Sequence, residues 1–132
     1  MPGIDESLLE AMRLPGARGA WLVDWISGLA LGAVGEAPGG DAEATAAVTA
    51  ELARHAAESG ALAPGGPHGA DAGTSPVEDM IVTTGDAYHL IRFVSTPFDS
   101  TVFLHLWLDR NDGNLALARI RLGEMAGRLV LG

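Results

Sequence analysis

The sequence predicts an α+β domain of three layers, a five-stranded antiparallel sheet sandwiched by helices, in the order α-β-β-α-β-β-β-α. Two observations carry this. Hydrophobic periodicity switches between the strand and helix spacings along the chain in that order. The segment Thr101–Leu108 is also apolar on both faces, with Val102, Leu104, Leu106 and Leu108 pointing one way and Phe103 and Trp107 the other. Runs of this kind are commonest in parallel sheets, yet the connections here are too short for crossovers and demand antiparallel neighbours. A central antiparallel strand that is apolar on both sides needs helices on both sides.

The first element is a short helix capped by Asp5, with Leu8, Leu9 and Met12 as its apolar face, stopped at Leu14-Pro15-Gly16. Gly19–Trp25 then reads as a strand, Ile26-Ser27-Gly28 as a tight connection, and Leu29–Val34 as a second strand, together a hairpin.

After a turn-rich stretch from Glu36 to Gly40, Asp41 is an N-cap and Glu43 favours the positive end of the helix that follows. This helix runs to about Ser59, with Gly60 as its stop. Ala44, Val48, Leu52 and Ala56 form an apolar stripe suited to packing on the sheet. A second stripe, Ala46, Ala50, Ala53 and Ala57, carries only small side chains. Two readings of it stand: alanine is a good helix former, or this face meets another helix closely, as a dimer contact requires. Glu43, Glu51, Arg54 and Glu58 occupy the remaining surface. From Gly60 to Pro76 the chain is loop-like, with five glycines and three prolines inside one domain spanning 1–132.

Val77–Thr84, Ala87–Val94 and Thr101–Leu108 read as three strands, with Gly85-Asp86 as a two-residue hairpin turn and Ser95–Asp99 as the next turn. Near Asp112, taken as a cap, begins the last helix, whose Leu115, Ala118, Leu122, Met125 and Leu129 recur at spacings of three and four.

Composition narrows the function. The 132 residues suit one domain, and the formal net charge is −9, all eight cations being arginine. Such a chain repels phosphate backbones and anionic lipid, so nucleic acid and membrane surfaces are poor partners. There is no cysteine, which removes disulfides, thiolate metal sites and a cysteine nucleophile and fits a reducing compartment. No export signal is visible at the N-terminus, and no apolar run approaches the roughly 20 residues of a membrane-spanning helix. A cytoplasmic location is the expectation.

Chemistry is hard to find. No glycine loop cradles phosphate, and no Gly-x-Ser-x-Gly or His-Glu-x-x-His is present. His89 and His105 share a strand face with Ile91, Phe93, Phe103 and Trp107. Two such histidines could hold a metal, but no third ligand accompanies them, and a core or interface role is the better reading. Trp21 and Trp25 share a face of the first strand and fill core. The residues point to no enzyme, no cofactor and no metal.

Four stretches carry a family resemblance: Leu14-Pro-Gly-Ala-Arg-Gly-Ala-Trp-Leu-Val-Asp24, Ser27-Gly28-Leu29, Val77–Thr84 with Tyr88-His-Leu-Ile-Arg92, and Asn114-Leu115-Ala-Leu-Ala-Arg119. In this order they resemble the roadblock/dynein-light-chain family, especially its bacterial MglB-like and conservon-type members. The resemblance implies a sheet with the middle helix on one face and the terminal helices on the other. It implies a homodimer through the third strand and middle helix, here Val77, Asp79, Met80, Ile81 and Val82 with Ala46, Ala50, Ala53 and Ala57. It also implies a small Ras-like GTPase as partner in signalling or polarity control and, for conservon types, a sensor-kinase complex. The outward helix face of Glu51, Arg54, His55 and Glu58 is the candidate partner contact. The alternative is a sensory module of the PAS/GAF kind, which would enclose a polar-lined cavity between helices and sheet.

Overall fold

The computed structural model describes residues 3–63, 65–66, 77–94 and 101–129. Most of the Gly60–Pro76 loop and the Ser95–Asp99 turn lie outside the described residues. The elements are α1 (Ile4–Ala11), β1 (Ala17–Asp24), β2 (Leu29–Gly35), a single 3-10 turn (Pro38–Gly40), α2 (Ala42–Glu58), β3 (Asp79–Thr83), β4 (Ala87–Val94), β5 (Val102–Asp109) and α3 (Leu115–Arg128). The strands form one five-stranded antiparallel sheet in the order β2-β1-β5-β4-β3.

The two-sided strand is the central one, as its composition requires. Val102, Leu104, Leu106 and Leu108 of β5 join Ala20, Leu22, Leu90 and Val94 in a core closed by Leu8 and Ala11 of α1 and by Ala118, Leu122 and Met125 of α3. Phe103 and Trp107 point the other way, into a second core closed by α2. The sheet therefore separates two apolar clusters, and burying both drives the fold.

Local chemistry sets the connections. Between β1 and β2 the Asp24 carboxylate accepts the Ile26 N–H at 2.9 Å, and Gly28 donates to the Asp24 carbonyl at 2.8 Å. In β2, Gly32 pairs with Leu22 and Ala30 with Val23, so Leu31 forms a bulge. Gly32 lies directly under α1: a Cβ there would sit 2.8 Å from Ile4 Cγ2 and 3.1 Å from Leu8 Cδ1. Gly16, which ends the turn after α1, has φ +81°, a conformation glycine adopts without penalty.

Some boundaries shift. Gly3, not Asp5, is the N-cap of α1. It offers no side-chain bond, and Asp5 and Glu6 instead lie in the first turn, where the helix dipole favours acids. Leu8 is buried but Leu9 is 57% exposed, because adjacent helical residues diverge by about 100° and cannot both face the core. Trp25 lies beyond the end of β1, its N–H donating to the Thr101 carbonyl at 2.9 Å. The cap of α3 is Asn114, whose side chain accepts the Leu117 N–H at 3.0 Å. Asp112 belongs to the preceding turn, where the Asp109 carboxylate accepts the N–H groups of Asn111 and Asp112 at 2.7 and 3.1 Å. Asp41 does cap α2, accepting from Ala44 N–H at 3.0 Å.

The two stripes of α2 exchange roles, except that Ala56 of the first is buried as well. Ala46, Ala50, Ala53 and Ala57 face the sheet and are buried within this chain, while Val48 is 68% and Leu52 44% exposed. The reason is on the opposite surface. All three tryptophans, Trp21, Trp25 and Trp107, project to the α2 side with Phe93 and Phe103. Such bulk fills the layer, and at interior packing density only methyl groups fit beneath the helix. The four alanines expected at a dimer contact are thus buried within this chain.

Candidate interaction surface

Two exposed apolar features stand out, an edge strand and a helix surface. The first is β3, the terminal strand of the sheet, which among the described residues pairs with β4 alone. Its residues alternate. Ile81 stands opposite Leu90 and faces the α1/α3 side, while Met80 and Val82 stand opposite Ile91 and His89 and face the α2 side. Ile81 and Val82 are exposed, and Met80 is half-buried. Asp79 is held inward by Arg119 of α3, whose guanidinium is kept protonated more strongly by that hydrogen bond and charge. Val77 is half-buried and lies just before the strand. The second feature is the outer surface of α2, where Val48 and Leu52 leave the protein apolar toward solvent. The sequence reading placed these two residues against the sheet. The signal that finds them is the aromatic content of the facing strands, which leaves no room for large side chains on the helix face beneath.

Glu51, Arg54, His55 and Glu58 all lie exposed on α2 and, with Ser59, line one shallow depression of about 340 Å³. Arg54 pairs with Glu58 at 3.4 Å, one turn away. An exposed pair of this kind adds little stability and stays free to exchange partners. Glu51 and Arg54 also border a larger open groove of about 750 Å³ between α2 and β2.

The two strand histidines come together. His89 Nδ1 and His105 Nε2 are 2.8 Å apart, one ring donating to the other according to tautomer. His105 lies against Trp21, with ring centroids 4.7 Å apart, and His89 stacks on Trp107 at 6.1 Å. Arg18 caps the stack, its guanidinium carbon 3.8 Å from the Trp107 ring. Burial pushes the His105 pKa down to about 3, helped by its neighbour His89, and burial also lowers His89. Two neutral rings that hydrogen-bond each other inside an aromatic core are a packing device. The expectation of a satisfied core histidine is met on one side only, since His105 Nδ1 has no hydrogen-bond partner among the described residues. No group of three metal-ligating side chains occurs among the described residues.

The cavity a PAS/GAF-like sensor requires is not formed by the described residues. Ala50, Ala53, Trp21, Phe103 and Trp107 fill the layer between α2 and the sheet, and the large groove opens outward instead. No helix of the described residues is long and apolar enough to cross a membrane.

The sequence matches no protein-family model and no curated protein. Solved structures are similar over most of its length. Myxococcus xanthus MglB superposes with a TM-score of 0.73 at 18% identity, over 93% of this chain and 81% of that one. The Roadblock/LC7 domain from Streptomyces avermitilis gives 0.73 at 17% identity, over 96% of this chain and 94% of its own. This chain has the Roadblock/LC7 fold. An MglB with tetrameric arrangement shares that fold at a TM-score of 0.72 and 19% identity, over 95% of this chain and 83% of that one. Among the described residues β3 is one edge of the sheet and α2 is the helix on its face of the sheet, as the sequence resemblance implies.

Proposed function

We propose that the protein is a non-catalytic homodimeric adaptor or regulator that binds a small Ras-like GTPase in the cytoplasm, in signalling or polarity control. The observation that carries this reading is the overlap with MglB structures over at least 93% of the chain, added to the roadblock resemblance of the sequence. The self-association has its own physical support. An unpaired strand edge with exposed Ile81 and Val82 is a template for another strand, and covering it removes an aggregation hazard. Two copies joined at β3 would extend the sheet across the dimer, with Val77, Asp79, Met80, Ile81 and Val82 at the seam and Val48 and Leu52 as the helical contact.

The GTPase contact is assigned to Glu51, Arg54, His55 and Glu58, with a sensor-kinase complex as a further partner. The mixed charge there suits a polar, reversible interface, which steers encounter more than it adds affinity. No catalytic group is required, because repositioning a GTPase's own residues lowers a phosphoryl-transfer barrier electrostatically.

The test is retention. Immobilised protein is exposed to host lysate loaded with a non-hydrolysable GTP analogue or with GDP. Preferential capture of one small GTPase in one state, lost on charge reversal at Glu51 and Glu58, supports the assignment. Equal or absent capture in both states overturns it.

A further inference from the structure

The opposite edge of the sheet, β2, borders an open groove. β2 pairs with β1 alone, so its outward main-chain groups have no strand partner among the described residues. Beside that edge runs the open groove of about 750 Å³, floored by Ala30 and Ala33 of β2, walled by Ala47 and Ala50 of α2, and closed at one end by Trp25. Trp25 is 9% exposed, and its indole N–H, a donor, has no acceptor among the described residues. Leu29 and Leu31 stand exposed along the same strand. The charges on the helical wall are Glu43, Glu51 and Arg54, and Arg54 is paired with Glu58. The wall therefore presents net negative charge.

We propose that this groove binds an extended peptide segment of a partner protein, added to β2 as a sixth strand, with small apolar side chains at alternate positions and a lysine or arginine against Glu43 and Glu51. A strand is favoured over a helix because only an extended backbone offers free N–H and C=O groups to satisfy the β2 edge, whereas a helix has already spent its own. The period-two alternation of a strand places every second side chain between sheet and helix, where the alanine lining admits small groups. The charge follows by complementarity. This proposal is independent of the GTPase reading. Glu51 and Arg54 are common to both surfaces, so the variants below avoid them.

Random peptides of about nine residues, displayed on phage, are selected on the full-length protein, and the best are synthesised. The expected winners alternate small apolar residues and carry Lys or Arg near one end. Ala47→Arg, at an exposed position on the groove wall, weakens them by about tenfold or more, as does Glu43→Arg, while the circular dichroism spectrum is unchanged. N-methylation of alternate peptide amides weakens binding by about tenfold in one register and leaves it intact in the other, because only one edge of the added strand bonds to β2. Failure to enrich any peptide overturns the proposal. So does selection of acidic peptides, binding indifferent to Ala47→Arg, or binding indifferent to N-methylation in both registers. Capture of a GTPase by Ala47→Arg reads the other surface separately.

Discussion

His105 and His89 bond ring to ring at 2.8 Å across the β4–β5 ladder, and among the described residues neither ring has a carboxylate partner to favour its protonated form by hydrogen bonding. Burial is the larger cause of the lowered pKa at both, and for His105 the second cause is the other imidazole. Asp86 opposes the shift at His89 only through space. The pair is thus stable as two neutral rings.

Stability should therefore fall as the solution is acidified. The unfolded chain takes up a proton at His105 near its ordinary 6.5, while the folded chain resists until about 3. Between those values the unfolded state binds more protons, so unfolding free energy rises with pH. The His105 contribution is full above about 6.5 and is lost as pH falls toward about 3. The slope should approach about 1.4 kcal/mol per pH unit in mid-window. Urea unfolding at a series of pH values checks this, against His105→Phe, which should lose that increment of slope. An equal slope in both proteins would place the acid sensitivity elsewhere.

Packing beneath α2 gives a second expectation. Ala53 is fully buried against the aromatic layer, so Ala53→Leu should destabilise by about 1–3 kcal/mol through overpacking. Leu52→Ser, one residue away and pointing outward, should leave the unfolding of the monomer within about 0.5 kcal/mol. In the proposed homodimer its effect belongs to assembly. Sedimentation velocity should show the Val48→Asp, Leu52→Ser double variant as a monomer at concentrations where the parent is a dimer; a double variant that remains dimeric removes these residues from the interface.

The approach of α1 to β2 predicts a cost at Gly32. A methyl group there meets Ile4 and Leu8 within about 3 Å, and both belong to the short helix rather than to the sheet. Gly32→Ala should destabilise by about 1–3 kcal/mol and should increase hydrogen exchange in α1 more than in β5. Uniform exchange across both elements would show that the helix is not the part that yields.

Capping separates Asn114 from Asp112. Loss of the Asn114 side-chain acceptor in Asn114→Ala should cost about 1 kcal/mol, read from chemical denaturation. Asp112→Ala should stay within about 0.5 kcal/mol, because its main-chain N–H is held by Asp109 whichever side chain it bears. The reverse order of the two effects would restore Asp112 as the cap.

Much of this architecture is legible before any coordinates. The two-sided apolar run of Val102–Leu108 demands a central strand, and Pro15-Gly16, Gly28 and Gly85-Asp86 punctuate the chain where it turns. The face assignment of α2 is not legible from α2 alone. Helical periodicity finds two stripes 100° or more apart, and size suggests that the larger one is buried. Which stripe faces inward is decided by Trp21 on one strand and Phe103 and Trp107 on another, far apart in sequence, which meet only in the folded sheet. The expected cap of α3 fails for a smaller reason: Asp112 and Asn114 are both good caps, and the turn built by Asp109 chooses between them.

The order of the sheet bears on how the chain reaches this state. β1, near the N-terminus, pairs on its inner side with β5, so the hairpin of β1 and β2 waits for residues 102–109 to be made before its apolar faces find partners. Contacts this distant in sequence slow folding and leave strand edges open meanwhile. A chain interrupted anywhere before β5 would lack the seam between both cores, and no part of it could close either one.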